Sequence, residues 1–389
     1  MTLKQRVPRT NAAKSTPAIS EPNQVSVEKR YPAIPKAPAV LGLIVAFIIA
    51  CYFAVQRDSG HKLPSKNHIV NEDLEARDAS MFVVQDIPGK GKGVIAARDI
   101  KRGELVIREQ PLFMVPSEVN TSPTAMISHL LSLLTPYQYS QFYNLSYVNF
   151  PDDLDPETDR AELALAIIQT NAVAAGVGYI GVFPRMARLN HGCSSAFNVV
   201  YSWREKEKVL VVHALKDIKK GQELLTTYTD TKRPRDQRRA HLHNHYSFHC
   251  ICEVCSLPDA KSKESDHRLT TMSELYARFA TWGSSAIDGG EAIGIVERIW
   301  ELGREEGYLS ERGRLAADAA WVAAAHSDAA STRAWARVAE EWFGYELGVD
   351  SEQVSEMRQL ETQPESHPAW ASRQAMRVPD PQLTQSVFD

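Results

Sequence analysis

Three cysteines, Cys250, Cys252 and Cys255, crowd into six positions of FHCICEVC, residues 248–255. Thiolates at this density hold soft metal ions, and zinc takes them at about 2.3 Å in a tetrahedron whose structural form needs four ligands. The spacing Cys-x-Cys-x-x-Cys is too tight for one regular helix or strand face, so a loop must wrap the ion. Candidates for the fourth ligand are the nearby His241, His243, His245 and His249, or a cysteine from elsewhere. Of the five cysteines, Cys51 falls inside an apolar run, which leaves Cys193 in ARLNHGCSS, well upstream. Completion by Cys193 would pin the segment after the last strand against residues 190–193 and close a pocket there. A histidine-completed site and a metal-free cysteine loop are the alternatives. The close spacing does not suit a secreted disulfide framework and points instead to a reducing compartment.

The elements that must position such a site come from an ordinary globular composition. The 389 residues are 43% hydrophobic and 24% charged, enough for two domains or one large one. A formal net charge of -4 gives no overall pull toward nucleic acid, and the basic run TKRPRDQRR, residues 231–239, reads as a solvated face. Residues 1–38 hold six prolines, seven Lys/Arg and two acids without apolar periodicity, the pattern of a disordered basic tail. Residues 39–55, AVLGLIVAFIIACYFAV, are uncharged and as a helix would reach roughly 26 Å, so a single transmembrane helix is expected there. A polar linker over residues 56–80 follows. Lysines and arginines balance across the apolar run, so the positive-inside rule does not orient it. The acid-free start, with Lys4, Arg6, Arg9 and Lys14, leaves a mitochondrial presequence as a minor alternative.

From Met81 the pattern turns to strands: MFVVQ, GVIAA and ELVIREQ, then FNVVYSW, VLVVHAL and ELLTTY. The short REKEK connection predicts a hairpin. Helical stretches TAMISHLLSLL and AELALAIIQTNAV interrupt the strands. Beyond Pro258 the chain reads as helical: Ile293, Val296 and Trp300 share a face, as do Trp335, Val338 and Trp342, and both stripes are expected to be core. These helices resemble a tetratricopeptide-like layer without a clean 34-residue repeat. The residues from His367 read as a loose tail.

GKGKGVIAARDIKRGELV, RLNHGC, GQELLTTY and YSFHCICEVC, in that order, resemble the SET-domain protein lysine methyltransferases, in particular the fungal SET proteins and the SET-and-MYND group. The match covers roughly residues 81–256. Because residues 94–192 contain no cysteine, the likeness is to members lacking the MYND finger. It implies a SET-type β-rich domain with a helical insert over residues 81–230 and a zinc-binding post-SET loop over 231–256, which together with the all-helical C-terminal domain read from spacing over 257–366 makes an α+β fold. It implies S-adenosylmethionine and Zn2+ as cofactors. Contact with S-adenosylmethionine would fall to Lys90, Gly91, Lys92 and Gly93, to Asn190 and His191, and to Tyr246 and Phe248 packed on the adenine; Asn171 is a weaker candidate. The glycines allow close backbone approach, and no Gly-Lys-Ser/Thr ending opens a helix, which argues against a phosphate loop. Zinc would be held by Cys193, Cys250, Cys252 and Cys255.

The catalytic residue implied is Tyr228, which also borders the cofactor and would orient a target lysine entering from the opposite face. The expected activity is methyl transfer to a lysine of a protein substrate, histone or other, with a non-catalytic SET-fold scaffold as the alternative. No sequence-specific nucleic-acid binding is expected. Together with the apolar run, the likeness suggests a single-pass membrane protein whose SET domain faces the cytosol, or a nuclear or cytoplasmic one if residues 39–55 are not a span. One departure stands out. The family pattern continues from the cysteine as x-Pro-Asn, whereas this chain has Ser194-Ser195-Ala196-Phe197-Asn198.

Overall fold

The structure is a computed structural model that describes residues 80–118 and 122–381, all within one compact unit, Asn67–Asp389. Its β part uses strands β1 (Phe82–Ile87), β2 (Gly91–Ala96), β3 (Leu105–Glu109), β4 (Met114–Pro116), β5 (Val173–Ala174), β6 (Tyr179–Gly181), β7 (Asn190–His191), β8 (Val199–Arg204), β9 (Val209–Ala214) and β10 (Glu223–Thr226). They form three small sheets, ordered β1-β2-β10-β7, β3-β9-β8 and β4-β6-β5. As the REKEK connection predicts, β8 and β9 make a hairpin, with Arg204 opposite Val209. All six residues of β9 are buried. Its Leu210, Val212 and Ala214 pack with Val106, Ile107 and Leu224 in the core of the β part. A C-terminal helix covers the strand from another side, which explains the consecutive apolar residues Val209–Val212 where a half-exposed strand would alternate.

Between β4 and β5 the insert forms α1 (Pro123–Ser132), α2 (Pro136–Tyr143) and α3 (Arg160–Asn171), closed over their own core of Phe142, Leu163 and Ile167. A reciprocal pair of hydrogen bonds between Thr135 and Gln138 caps α2, and Pro136 sits at its first turn, where the missing N–H costs nothing. After β10 comes α4 (Arg235–Tyr246), which ends on Ser247 in the left-handed conformation, φ 55°. That turn redirects the chain into the cysteine loop.

Five helices complete the unit: α5 (Asp259–Phe279), α6 (Gly289–Glu306), α7 (Arg312–Ala325), α8 (Ala329–Leu347) and α9 (Glu352–Thr362). Asp288, Asp328 and Ser351 accept from backbone N–H groups at the starts of α6, α8 and α9, and Gly307 ends α6 at φ 70°. Both expected stripes lie in one buried core, where the Trp300 and Trp342 rings meet edge to face at 5.9 Å. The segment from His367 differs from the expected loose tail. Through Pro381 it runs along the helices, with Arg373 N–H donating to Ala325 O, Trp335 Nε1 donating to Pro379 O, and Val378 fully buried. Its signal in sequence is weak because a strap held by main-chain bonds to a neighbour has no periodicity of its own.

The membrane assignment requires correction. Among the described residues no helix is long and apolar enough to cross a membrane. A span needs about 20 consecutive apolar residues, whereas the longer helices here, such as α5 with its run DAKSKESDHR, are studded with charge. The run 39–55 lies outside the described residues. The single-pass placement, the cytosol-facing orientation and the membrane partner are therefore withdrawn.

Candidate functional site

Two residue pairs on adjacent strands bring the site together. In the parallel pairing of β7 with β10, Asn190 lies beside Leu225 and His191 beside Thr226. On its other edge β10 pairs with β2, Glu223 opposite Ile95. The β1–β2 turn, the 190–193 loop and Tyr228, distant in sequence, thereby share one end of one sheet.

Hydrogen bonds fix each side chain. Asn190 Nδ2 donates to Lys92 O at 3.2 Å and to Glu223 Oε1 at 2.9 Å, and Lys90 Nζ lies 2.5 Å from Glu223 Oε2. Glu223 thus ties the turn lysine to the asparagine, a role that sequence reasoning missed although the residue stands inside GQELLTTY. His191 accepts from the Tyr228 N–H at Nδ1, 3.0 Å, which places its proton on Nε2, 3.1 Å from Cys193 Sγ. Burial pushes the imidazole down to about 4, so it is neutral at ordinary pH. The Tyr228 hydroxyl donates to Leu189 O at 2.6 Å. Burial, then the neighbouring Tyr246 and Glu223, hold that phenol well above its ordinary value, so it stays protonated. Tyr246 stands 5.0 Å from Tyr228 between ring centroids, and Phe248 meets Tyr228 edge-on at 6.5 Å.

These groups surround a cavity of about 890 Å³. Lys90, Lys92, Asn190, His191, Tyr228, Tyr246 and Phe248 line it, together with Cys250 and Cys252. Asn171 also lines it, its amide held by Ser146 O and Ile167 O. Gly91 and Gly93 stand beside the cavity rather than in its wall. Gly91 supplies the left-handed turn, φ 74°, and a Cβ at Gly93 would come within 2.7 Å of Asn190 Nδ2. Sequence reasoning also missed Ser146, Val148 and Thr170, which the insert contributes to the wall; no pattern within the insert signals a cavity formed against another element.

Behind the aromatic wall the four cysteines converge. Cys193, Cys250, Cys252 and Cys255 place their sulfurs within 4.8 Å of one another, with Cys193 and Cys255 at 3.6 Å. Ligands at about 2.3 Å on a tetrahedron stand about 3.8 Å apart, so the donor set fits a four-thiolate metal site. None of the four histidine candidates joins this group. Arg239 steadies the loop, Nε donating to Cys250 O at 3.1 Å and Nη2 to Cys255 O at 2.8 Å. Such support around a ligand loop holds the donors in position for the ion.

The departure after Cys193 also has a structural account. Ser194–Ala196 forms a 3₁₀ turn, which brings Asn198 to β10. Asn198 Nδ2 donates to Glu223 O at 2.9 Å, and its Oδ1 accepts from Leu225 N–H at 2.8 Å. Ser194 Oγ donates to the buried Glu306 of α6 at 3.0 Å, so the altered turn is where the site loop meets the C-terminal helices.

A family model described as SET domain matches residues 91–229. "Histone-lysine N-methyltransferase set5" of Schizosaccharomyces pombe is 31% identical over 187 residues, 48% of this chain and 54% of that protein. "N-lysine methyltransferase SMYD2" of Homo sapiens is 35% identical over 78 residues, 20% of this chain and 17% of that protein. The chain thus spans about half the length of the first relative and less of the second. A solved structure described as "Crystal structure of the SET domain of LSMT bound to Lysine and AdoHcy" aligns with 84% of this chain and 91% of its own at 10% identity, with a TM-score of 0.28, too low to bear on the assignment. The family model and the sequence relatives agree with the α+β architecture and with the order of motifs around the cavity: residues 91–229 of this chain match the SET domain, and through that region the chain is similar to the set5 and SMYD lysine methyltransferases.

Proposed function

We propose that the chain is an S-adenosylmethionine-dependent protein-lysine N-methyltransferase, with a SET domain over residues 81–230, a structural zinc region over 231–256 and a helical domain over 257–366. The observation that carries this reading is the convergence of Asn190, His191, Tyr228, Tyr246 and Phe248 on one cavity backed by four thiolates. A volume of about 890 Å³ suits a nucleoside-sized ligand. When bound, S-adenosylmethionine supplies a methyl group on a sulfonium cation.

The chain's own work is then binding, orientation and exclusion of water. Asn190 presents polar amide atoms at the cavity wall, locked by Glu223 and Lys92 O. Tyr246 and Phe248 offer flat apolar faces to an adenine ring. Zn2+ on Cys193, Cys250, Cys252 and Cys255 would fix the loop that holds Phe248. Lys90 and Lys92 border the cavity as cations, with Gly91 and Gly93 shaping their turn.

A target lysine, of ordinary pKa about 10.4, must arrive unprotonated to act as a nucleophile. A dry channel and a nearby positive charge both lower that value. Tyr228, kept neutral by burial, acts by orienting the amine rather than as a base. With little covalent chemistry asked of the protein, position and electrostatics carry the rate. The substrate class is a protein bearing an accessible lysine, histones included, as the names of the set5 and SMYD relatives suggest.

Tyr228→Phe tests the reading. Methyl transfer from labelled S-adenosylmethionine to a protein substrate should fall on the order of a hundredfold, while S-adenosylhomocysteine still binds. Undiminished transfer would overturn the role given to Tyr228.

A further inference from the structure

Lys232 occupies an unusual place for a lysine. Only 14% of its side chain is exposed, and its ammonium sits 3.0 and 3.1 Å from the two carboxylate oxygens of Glu311. Asp230 Oδ1 stands at 3.5 Å, and the rings of Tyr308 and Tyr276 face it at 5.5 and 5.6 Å. Two acids and two aromatic faces thus enclose one cation, an arrangement that holds a charge better than an exposed surface pair does. The two partners belong to different parts of the molecule. Lys232 lies four residues after Tyr228 and just before α4, the helix that carries Tyr246 and leads to Phe248 and the cysteine loop. Glu311 stands at the head of α7 in the left-handed conformation, φ 70°, and its own N–H donates to the buried Glu346 of α8 at 3.1 Å. The acceptor end of the tie is therefore anchored in the helical core.

A parallel contact holds the next turn of the chain. Asp266 of α5 accepts from the Arg235 N–H at 2.8 Å and from Arg238 Nη1 at 3.1 Å, at the start of α4. By contrast Tyr228 is held from within its own domain, by His191 and Leu189 O. The helical domain thus grips the corner between Tyr228 and the aromatic wall, but not Tyr228 itself.

We infer that Lys232 is a positioning residue: paired with Glu311, it lets the C-terminal helices set where Tyr246 and Phe248 stand over the cofactor cavity. The function of the helical domain is then partly internal, holding the wall of a site to which it contributes no lining residue. The inference rests on the cavity being a cofactor site, as proposed above.

The test uses the full chain with its zinc and compares wild type with Lys232→Met, Lys232→Arg and Glu311→Gln. Amide hydrogen exchange is read over residues 229–248, and S-adenosylhomocysteine affinity by calorimetry. Lys232→Met and Glu311→Gln should each speed exchange in that segment and weaken S-adenosylhomocysteine about tenfold. The KM for S-adenosylmethionine should rise to match, with kcat at saturating cofactor within about twofold of wild type. Lys232→Arg should restore affinity, and the double variant Lys232→Met with Glu311→Gln should be no weaker than either single one, because both remove the same tie. Unchanged exchange and affinity in Glu311→Gln, whose partly exposed carboxylate keeps the variant foldable, would overturn the inference. So would additive effects in the double variant, or a fall in kcat with affinity intact. Wild type that binds no S-adenosylhomocysteine would instead overturn the functional reading, while the exchange measurement would still judge the tie.

Discussion

The cavity region and the C-terminal helical layer are built on opposite terms. The layer uses helices of 11 to 21 residues that bury apolar side chains in one shared core and pack mainly on their neighbours in sequence. The cavity uses strands as short as the two residues of β7, which have no stability of their own and exist because β10 supplies partners more than thirty residues later. Local periodicity is enough to define a helix that buries one stripe. A two-residue strand is defined by its neighbour, so the cavity region depends on long-range contacts, each closed at an entropic cost. Perturbations should separate accordingly, with site and scaffold failing by different routes.

The sharpest break is at Cys193. Cys193→Ser should lose zinc and S-adenosylhomocysteine binding together, because serine does not supply the fourth soft ligand and the loop holding Phe248 is released. Metal analysis and calorimetry on the purified chain check this, and retention of both would show that the cysteine cluster is not a metal site coupled to the cavity. The helical layer, whose core contains none of these residues, should keep its far-ultraviolet helical signal.

Trp342→Ala strikes the other side. The ring is fully buried, meets Trp300 edge-on and lies under the Arg312 guanidinium, 4.6 Å from the ring centroid. Its loss should cost about 3–5 kcal/mol in urea unfolding. The folded fraction should retain zinc, and parallel loss of zinc before unfolding would show the two regions to be less separable than their construction suggests.

A smaller effect should come from Glu346, which accepts N–H bonds from Glu311 and Gly313 at the head of α7. Burial outweighs those bonds and pushes its carboxyl from 4.5 up to about 7. With the folded value raised above the unfolded one, the group favours the fold most below pH 4.5, and that contribution is lost as pH rises through about 7. Stability of wild type relative to Glu346→Gln should therefore fall by up to about 3 kcal/mol between those limits. A flat difference in denaturation across that window would mean that the buried carboxyl titrates normally.

Much of the candidate site was legible in residues. The cysteine spacing raised the question of a fourth ligand, and Cys193 is the residue that joins the group, in preference to histidines far closer in sequence. RLNHGC and GQELLTTY marked Asn190, His191 and Tyr228. Glu223 was not singled out, because a strand glutamate has no signature until its two partners arrive from other segments. The wall contributed by Ser146 and Thr170 was hidden for the same reason, as was the strap over residues 367–381. The apolar run 39–55 led to a membrane assignment that the described helices do not support.

Sequence by itself determined the helical C-terminal region with its two apolar stripes, the longer strands and the thiol count, since each follows from local spacing and side-chain chemistry. Tertiary structure decided which thiols meet, that Asn198 reaches β10 through an altered turn, and that Lys232 lies in a cage formed largely by the helical domain. Those outcomes depend on distances between segments tens of residues apart. No local pattern encodes such distances; they are set when the sheets pair and the helices pack.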